Sequence, residues 1–184
     1  MRIVAGTFRG RHLNSPRGAS IRPTTDRVRE AIFSIIASRL CDAHVLDLFA
    51  GTGALGLEAL SRGAARAVFV DQSPEAVRLI RANIELCGAG DRAEVIHASV
   101  KQAIRRLGLK GDAFHLIFMD PPYGQGFLEE NLPLLGGVAR CGVLVVAEHD
   151  KKDVLSDRLE QWLKIEERRY GDTSISFFER ETPC

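Results

Sequence analysis

The residue run best suited to chemistry in this 184-residue chain is Asp120-Pro121-Pro122-Tyr123. Paired prolines fix the backbone and remove two amide donors, so the Asp120 carboxylate and the Pro121 carbonyl become unopposed hydrogen-bond acceptors. Two such acceptors suit a planar amine that must donate both hydrogens, such as the exocyclic amine of a purine. Accepting both hydrogens from a tilted amine frees the nitrogen lone pair, and Tyr123 can stack on the base. The run therefore predicts methyl transfer to a flat amine, with positioning and preorganised acceptors as the main catalytic effects.

A second candidate site starts at Asp47, continues through Gly51-Thr52-Gly53-Ala54-Leu55-Gly56 and is followed by Asp71. Taken alone, such a glycine loop with an acidic residue about 20 positions later is also compatible with a nicotinamide dinucleotide. Asp47 favours another ligand, because its carboxylate would repel a pyrophosphate but attract the ammonium group of S-adenosylmethionine, directly or through water. Asp71 is placed to accept hydrogen bonds from ribose hydroxyls. The spacing thus favours S-adenosylmethionine over a dinucleotide.

The elements that must position these two runs alternate between strand and helix. Strands are predicted at residues 45–49, 67–71, 93–97, 114–119 and 142–147, helices at 26–36, 54–62, 74–88, 100–107, 127–135 and 151–160, and a final hairpin at 163–170 and 174–178. Apolar strands without polar alternation indicate a parallel sheet covered on both faces, and right-handed crossovers then give a doubly wound α/β fold. Ligands of such sheets bind at the carboxyl ends of the strands, where both runs lie.

The N-terminal residues predict a basic appendage in front of the main domain. Residues 1–23 are assigned to the appendage, in which 3–6 and 11–13 can pair as a short β-ribbon, and residues 24–184 to the catalytic domain. Only Asp26 and Glu30 oppose the arginines at positions 2, 9, 11, 17, 22, 27 and 29. A basic arm on a body of net charge +1 can bind phosphates. The alternatives are a merely solvated terminus, or arginines that pair with the two acidic residues or brace the glycine loop.

Composition excludes several other classes of protein. No apolar run approaches the roughly 20 residues that span a bilayer, and the first residues lack the apolar core of a signal peptide, so a cytoplasmic protein is expected. The four cysteines are far apart, without a Cys-x-x-Cys pair, and the histidines are scattered, so no metal site is expected. A monomer is the simpler expectation.

Three blocks of the sequence resemble the RsmD family of bacterial 16S ribosomal RNA guanine-2-amino methyltransferases. They are residues 21–33 (IRPTTDRVREAIF), 47–64 (DLFAGTGALGLEALSRGA) and 120–123 (DPPY). The resemblance runs nearly end to end and includes YGDT at 170–173. The DPPY run is shared with many amino-methyltransferases, whereas the first two blocks are far more specific to the family.

The resemblance implies a class I S-adenosylmethionine-dependent methyltransferase fold, with a seven-stranded, mostly parallel sheet whose last strand is antiparallel. It implies S-adenosylmethionine as methyl donor and a guanine of 16S rRNA, in the small ribosomal subunit or an assembly intermediate, as target. Cofactor contacts are then expected from Asp47, Phe49, Gly51, Gly53, Asp71, Gln72, Ala98 and Ser99, and RNA contacts from Arg9, Arg11, Arg22, Arg27 and Arg29. The catalytic loop is expected to consist of Asp120, Pro121, Pro122 and Tyr123.

Other functions stay open at this point. Another amino-methyltransferase could act on adenine in DNA or RNA, although the chain has no separate target-recognition domain, or on protein glutamine, which would more often show Asn than Asp at position 120. A non-catalytic RNA-binding assembly factor could keep the fold. The presence of the candidate site residues favours an active enzyme instead; they are Asp47, Gly51, Gly53 and Asp120. A nicotinamide oxidoreductase is the third rival.

Overall fold

The helices and strands were defined in a computed structural model that describes residues 1–16 and 26–181. The strands are β1 His44–Leu48, β2 Arg66–Asp71, β3 Ala93–His97, β4 Phe114–Met119, β5 Ala139–Asp150, β6 Arg158–Leu159, β7 Trp162–Tyr170 and β8 Thr173–Arg180. The α-helices are α1 Asp26–Ile35, α2 Ala54–Ser61, α3 Pro74–Cys87, α4 Val100–Leu109 and α5 Phe127–Asn131. Short 3₁₀ turns cover Ala37–Arg39, Gly90–Arg92 and Leu132–Gly137.

The order of the strands brings the two predicted runs to one edge of the sheet. That order is β3-β2-β1-β4-β5-β8-β7-β6, with β1 to β5 mutually parallel. β8 inserts between β5 and β7 and is antiparallel to both. Since β1 and β4 are neighbours, the glycine loop after β1 and the DPPY loop after β4 leave the sheet side by side. The predicted doubly wound α/β fold with an antiparallel last strand is confirmed.

The expected seven strands and the expected helix at 151–160 are both wrong. The described residues form eight strands, and the extra one, β6, is a two-residue edge strand paired with β7 within that segment. The apolar side chains of this segment are divided between core and solvent, since Leu155 is buried whereas Val154 is 91% exposed. The segment instead bends back through the amide of Lys164, which donates to the carbonyl of Asp157 at 2.8 Å.

Apolar side chains fill both faces of the sheet. One cluster joins Phe69 and Phe118 of the strands to Phe33 of α1, and the rings of Phe33 and Phe118 lie 5.6 Å apart. The other joins Leu46 to Leu107 of α4 and to the fully buried Trp162. Burial of each such side chain stabilises the fold by about 1.5–3 kcal/mol, so the strand ends that carry the polar loops rest on a rigid support.

Local capping signals fix where the helices after β2 and β3 begin. The Ser73 side chain accepts the amide of Ala76 at the start of α3, whose first residue is Pro74. α4 begins with a capping box in which the Ser99 hydroxyl accepts the amide of Gln102, and the Gln102 side chain accepts the amide of Ser99. These caps satisfy backbone donors that a helix start leaves without partners, so both helices start where the strand-end loops require.

The N-terminal ribbon forms as predicted, and it is part of the main core. Arg2 and His12 make an antiparallel bridge, and the Ile3 amide donates to the Arg11 carbonyl at 3.0 Å. The buried ribbon side chains belong to the same cluster as α1 and α2; they are Ile3, Phe8 and Leu13. The predicted boundary at residue 23 lies outside the described residues, but side chains of residues 1–16 pack with α1 and α2.

Two side chains of α2 hold this ribbon in place. The Glu58 carboxylate accepts the amides of Val4 at 2.8 Å and Ala5 at 3.0 Å, and the Ser61 hydroxyl accepts the amide of Phe8 at 2.9 Å. A side chain at Gly6 would place its Cβ 1.9 Å from the Ser61 carbonyl oxygen, so the chain approaches α2 too closely for any other residue. The basic arm is thereby attached to the helix that follows the glycine loop. No helix among the described residues is long and apolar enough to cross a membrane.

Candidate active site

The carboxylate of Asp47 lies buried beneath the glycine loop. Asp47 is on β1 with only 1% of its surface exposed, and its Oδ2 accepts the amide of Gly56 at 2.9 Å. A Cβ at Gly56 would lie 2.3 Å from Cε1 of Phe69, so only glycine fits at this position of α2. Burial, the largest cause, and the charge of Asp71 raise the pKa of Asp47 to about 7, while the Gly56 hydrogen bond opposes the increase.

Asp71, at the end of β2, joins the glycine loop to the next turn. Its Oδ2 accepts the amide of Gly51 at 2.9 Å, and its Oδ1 accepts the amide of Ser73 at 2.8 Å. Each carboxylate oxygen keeps a further lone pair for an outside donor. The loop turns sharply through Phe49, Gly51 and Gly53, which all have positive φ angles of 58°, 56° and 77°. For Phe49 this left-handed conformation is strained, as is common at functional sites.

Asp120 follows β4 directly and lies beside the first loop. Its amide is 3.5 Å from the carbonyl of Leu48 on β1. Burial of the Asp120 carboxyl raises its pKa well above the usual value, and the charges of Glu148 and Asp47 raise it further. The two prolines differ in environment, since Pro121 is buried and Pro122 is exposed. The structure thus brings the predicted catalytic acceptors and the cofactor loop together at one edge.

Sequence reasoning missed Glu148, which lies opposite Asp120 on β5. Tyr123 donates its hydroxyl to Oε1 of Glu148 at 2.8 Å, and its oxygen is 3.5 Å from Oγ1 of Thr173 on β8. Burial and then the charge of Glu148 raise the pKa of Tyr123, so the phenol stays protonated. Only 5% of Glu148 is exposed, although it lines a cavity of about 310 Å³ together with Pro121 and Tyr123. A Glu directly after the apolar run at 143–147, where strand ends carry ligand contacts, is the signal that could have found it.

Two further contacts tie the loops to each other and to the N-terminus. The rings of Phe49 and Phe127, the first residue of α5, lie 5.6 Å apart, which couples the glycine loop to the segment after DPPY. The buried Asn83 of α3 donates through Nδ2 to the carbonyl of Thr52 at 2.9 Å and to that of Asn14 at 3.1 Å. Asn83 was not predicted, because an Asn within a helix gives no sign of its partners in sequence.

The remaining predicted cofactor residues lie at the carboxyl ends of β2 and β3. Gln72 is exposed, and its carbonyl oxygen is 3.1 Å from Nε2 of His97. The amide of Ala98 donates to the carbonyl of Asp71 at 3.1 Å, and this hydrogen bond joins the carboxyl end of β3 to that of β2. The Ser99 hydroxyl is already used in the α4 capping box, so any ligand contact through it shares that hydrogen bond.

Three of the five arginines predicted to contact RNA are exposed. Arg9 and Arg27 line a surface cavity of about 320 Å³ together with Arg2 and with the acidic Asp26 and Glu30. Arg11 donates to the carbonyl of Leu86, and its guanidinium lies 5.5 Å from the ring centroid of Phe8. Arg22 lies outside the described residues.

The prediction that Arg29 contacts RNA is wrong. Arg29 is fully buried and pairs with Asp26 at 2.8 Å and with the buried Glu58 at 3.6 Å. Its guanidinium also donates to the carbonyl of Arg2. It braces α1 against the ribbon and α2, and its pairing with Asp26 is one of the alternatives that the sequence left open.

The acceptors at this edge fit a cofactor that carries positive charge. Burial is the largest cause of the raised pKa values of Asp47 and Asp120, and neighbouring carboxylates raise them further, Asp71 for Asp47 and Glu148 and Asp47 for Asp120. A pyrophosphate would add to the repulsion, whereas an ammonium or sulfonium group would relieve it. The backbone is also accessible, since a Cβ at Gly51 would meet nothing nearer than the Phe49 carbonyl oxygen at 3.9 Å. Among the described residues, no group of three or more His, Cys, Asp or Glu side chains could hold a metal ion.

Comparison with known proteins decides the family. A family model described as "Conserved hypothetical protein 95" matches residues 1–179. The chain belongs to this family. Ribosomal RNA small subunit methyltransferase D of Escherichia coli strain K12 is 37% identical over 183 residues, which are 98% of this chain and 90% of that protein. A putative rRNA methyltransferase of Bacillus subtilis strain 168, YlbH, is 33% identical over 182 residues, 98% of this chain and 99% of that protein.

Solved structures agree with this assignment. The putative methyltransferase yhhF from Escherichia coli superposes with a TM-score of 0.84 at 37% identity and covers 98% of both chains. SMU.776, a putative methyltransferase complexed with SAH, gives a TM-score of 0.64 at 12% identity over 79% of this chain and 48% of its own, and so supports the fold alone. The matches confirm the predicted family, the class I fold and the predicted class of enzyme, an S-adenosylmethionine-dependent methyltransferase.

Proposed function

We propose that the chain transfers a methyl group from S-adenosylmethionine to the exocyclic 2-amino group of a guanine in 16S ribosomal RNA. The observation that carries this proposal is the position of Asp120, an acceptor beside a glycine loop whose buried carboxylate suits a cationic cofactor. The names of the relatives that match over nearly the whole chain support ribosomal RNA of the small subunit as the substrate, and the family resemblance implies the guanine 2-amino group.

Residues of the first loop would hold the cofactor. Asp47 would face its ammonium group, because a cation there stabilises the charged form of a buried carboxylate. The backbone of Phe49, Gly51 and Gly53 would follow its methionine part, and Asp71 would accept its ribose hydroxyls. Gln72, Ala98 and Ser99 would border the adenine. S-adenosylmethionine supplies an electrophilic methyl group on its sulfonium.

The second loop would prepare the amine for attack. Asp120 and the Pro121 carbonyl accept the two amine hydrogens, which favours a pyramidal nitrogen with a free lone pair. The amine would then be ready to take the methyl group that the cofactor supplies, and Asp120 or water would take the proton that the methylated nitrogen gives up. Pro122 fixes the backbone here, and Tyr123 packs against the base while its hydroxyl stays bound to Glu148. Preorganised acceptors of this kind are worth about 10²–10³ in rate.

RNA binding is assigned to the basic arm. Arg9 and Arg27 on the exposed cavity wall, with Arg11 and Arg22, would contact phosphates, which adds affinity without sequence readout. The target base must leave its stack to reach the cavity beside Tyr123. We place the reaction in the cytoplasm, on the small ribosomal subunit or an assembly intermediate, with the protein acting as a monomer.

Methyl transfer to defined substrates tests the proposal. The protein is incubated with S-adenosylmethionine carrying a labelled methyl group and with undermethylated small ribosomal subunits, free DNA or a release factor. Label is expected in 16S rRNA as N2-methylguanine, identified by nuclease digestion and mass spectrometry. Label in DNA or protein alone contradicts the substrate, and failure to bind S-adenosylmethionine in calorimetry favours a non-catalytic binding protein.

The Asp120→Ala variant tests the mechanism in the same assay. Turnover should decrease about 10²–10³-fold, because the methyl-accepting amine loses an acceptor that acts in the transition state. The affinity for S-adenosylmethionine should change far less. A variant with near-normal turnover would rule out the acceptor role of Asp120.

A further inference from the structure

Glu148 is a buried acid at the carboxyl end of β5, where a target base would enter. β4 and β5 are parallel, and Phe118 pairs with Val146 and Met119 with Ala147, so Glu148 lies level with Asp120. Residues in register point to the same face of a sheet, which places both carboxylates on one side. Their charges act on each other, and Glu148 lines the cavity of about 310 Å³ beside Pro121 and Tyr123. This volume is within the usual range for small-ligand sites, about 300–1,000 Å³.

The hydrogen-bond pattern of guanine matches two neighbouring acids. Along its Watson–Crick edge the 2-amino group is followed by N1–H, so the methylated amine has a second donor beside it. Adenine and 2,6-diaminopurine instead carry an N1 lone pair, which a carboxylate repels. Enzymes that act on an extruded base read it by hydrogen bonds to this edge and by stacking. An ionised carboxylate has about four lone-pair sites, so Glu148 can accept from N1–H in addition to the Tyr123 hydroxyl and its other interactions.

We propose that Glu148 selects guanine by accepting its N1–H while Asp120 and the Pro121 carbonyl hold the 2-amine. The inference rests on the proposed function and names the residue that reads the base. Tyr123 supports Glu148, because its hydroxyl fixes the carboxylate at 2.8 Å while its ring forms a wall of the same cavity. A strand residue on a rigid, buried β5 is a precise reader of a base edge, since its position does not depend on loop closure.

Replacement of the target base tests the proposal. The guanine that the wild-type protein methylates in 16S rRNA is first located by mass mapping. RNA carrying guanine or 2,6-diaminopurine at that position is then made by ligation and assembled into subunits. Both bases present a 2-amine, but only guanine has N1–H. The wild-type protein should prefer guanine by at least about 100-fold in kcat/KM, because sites built around a donor reject analogues that lack it.

Three variants assign that preference to a residue. Glu148→Gln should reduce the preference to about tenfold or less, because an amide can accept from N1–H or donate to an N1 lone pair. Tyr123→Phe removes the hydroxyl and keeps the ring, so it should lower turnover but keep most of the preference. Glu130→Gln, an exposed acid of α5, is the control and should behave as wild type. Thermal unfolding and S-adenosylmethionine affinity are measured for each variant.

Each outcome separates this inference from the proposed function. If the wild-type protein methylates no guanine in 16S rRNA, the proposed function fails. If the wild-type protein methylates guanine and 2,6-diaminopurine at similar rates, selection of guanine by Glu148 is refuted. This result does not depend on whether Glu148→Gln folds. An equal loss on both bases in Glu148→Gln would also overturn it, since it would show that Glu148 does not distinguish N1–H from an N1 lone pair.

Discussion

Replacement of Asp47 by asparagine should make the protein more stable above neutral pH and weaken cofactor binding. Asp47 is 1% exposed, and burial raises its pKa from 3.8 to about 7. Because the folded-state pKa lies above the unfolded value, the wild-type protein loses stability from this group as the pH rises from about 4 to about 7. Asparagine removes the charge and keeps an oxygen that can accept the Gly56 amide, so Asp47→Asn should escape this loss.

The size of the effect follows from the same values. A carboxyl pKa raised from 3.8 to about 7 corresponds to about 4 kcal/mol against the charged form at high pH. The amide accepts a weaker hydrogen bond from Gly56 than a carboxylate does, which lowers the gain by about 1 kcal/mol. Asp47→Asn should therefore be about 2–3 kcal/mol more stable at pH 8, or about 5–10 °C in Tm for a chain of this size.

Denaturant unfolding of both proteins between pH 5 and pH 8.5 measures this difference. It should grow as the pH rises to about 7 and stay level above that. Asp91→Asn, at an exposed carboxylate, is the control and should give no such trend. In calorimetry at pH 8 Asp47→Asn should bind S-adenosylmethionine about 10–100-fold more weakly, because a charge-assisted hydrogen bond is lost. A stability difference that does not depend on pH would refute the burial argument, and unchanged affinity would refute the contact with the ammonium group.

Three further predictions concern packing, a buried ion pair and the basic arm. Gly56→Ala should lower the free energy of unfolding by about 1–3 kcal/mol, because its Cβ would overlap a buried ring at 2.3 Å. Gly90→Ala meets nothing within 4 Å and should be neutral in the same urea titration; equal effects would contradict the packing argument. Arg29→Met should cost about 3–5 kcal/mol in that titration, because it leaves the buried Glu58 without one of its cationic partners. Arg27→Ala should leave the free energy of unfolding unchanged, but weaken RNA binding and reduce the salt dependence of the affinity, as measured by filter binding. A loss of stability with unchanged RNA affinity would contradict the role of Arg27 as a phosphate contact.

The chemistry and the fold class could be predicted from sequence because both are encoded locally. The DPPY run sets its acceptors through proline geometry, and the glycine loop requires residues that adopt positive φ angles, as Gly51 and Gly53 do. Strand–helix alternation then places both runs at one edge, since the carboxyl ends of parallel strands meet there. Caps such as Ser73 are likewise read from neighbours in the chain.

Only the tertiary structure decided which distant side chains meet. Glu148 reaches Tyr123 because β5 lies next to β4, and Asn83 joins Asn14 to the glycine loop from another helix. Arg29 was predicted to contact RNA because it lies in an arginine-rich segment. Its burial against Glu58 depends on how α1 packs on α2, which the sequence does not show. Within the segment at 151–160, Arg158 and Leu159 form an edge strand because β7 offers backbone groups for them to pair with. Pairings between residues far apart in sequence depend on packing, so no local pattern could reveal them.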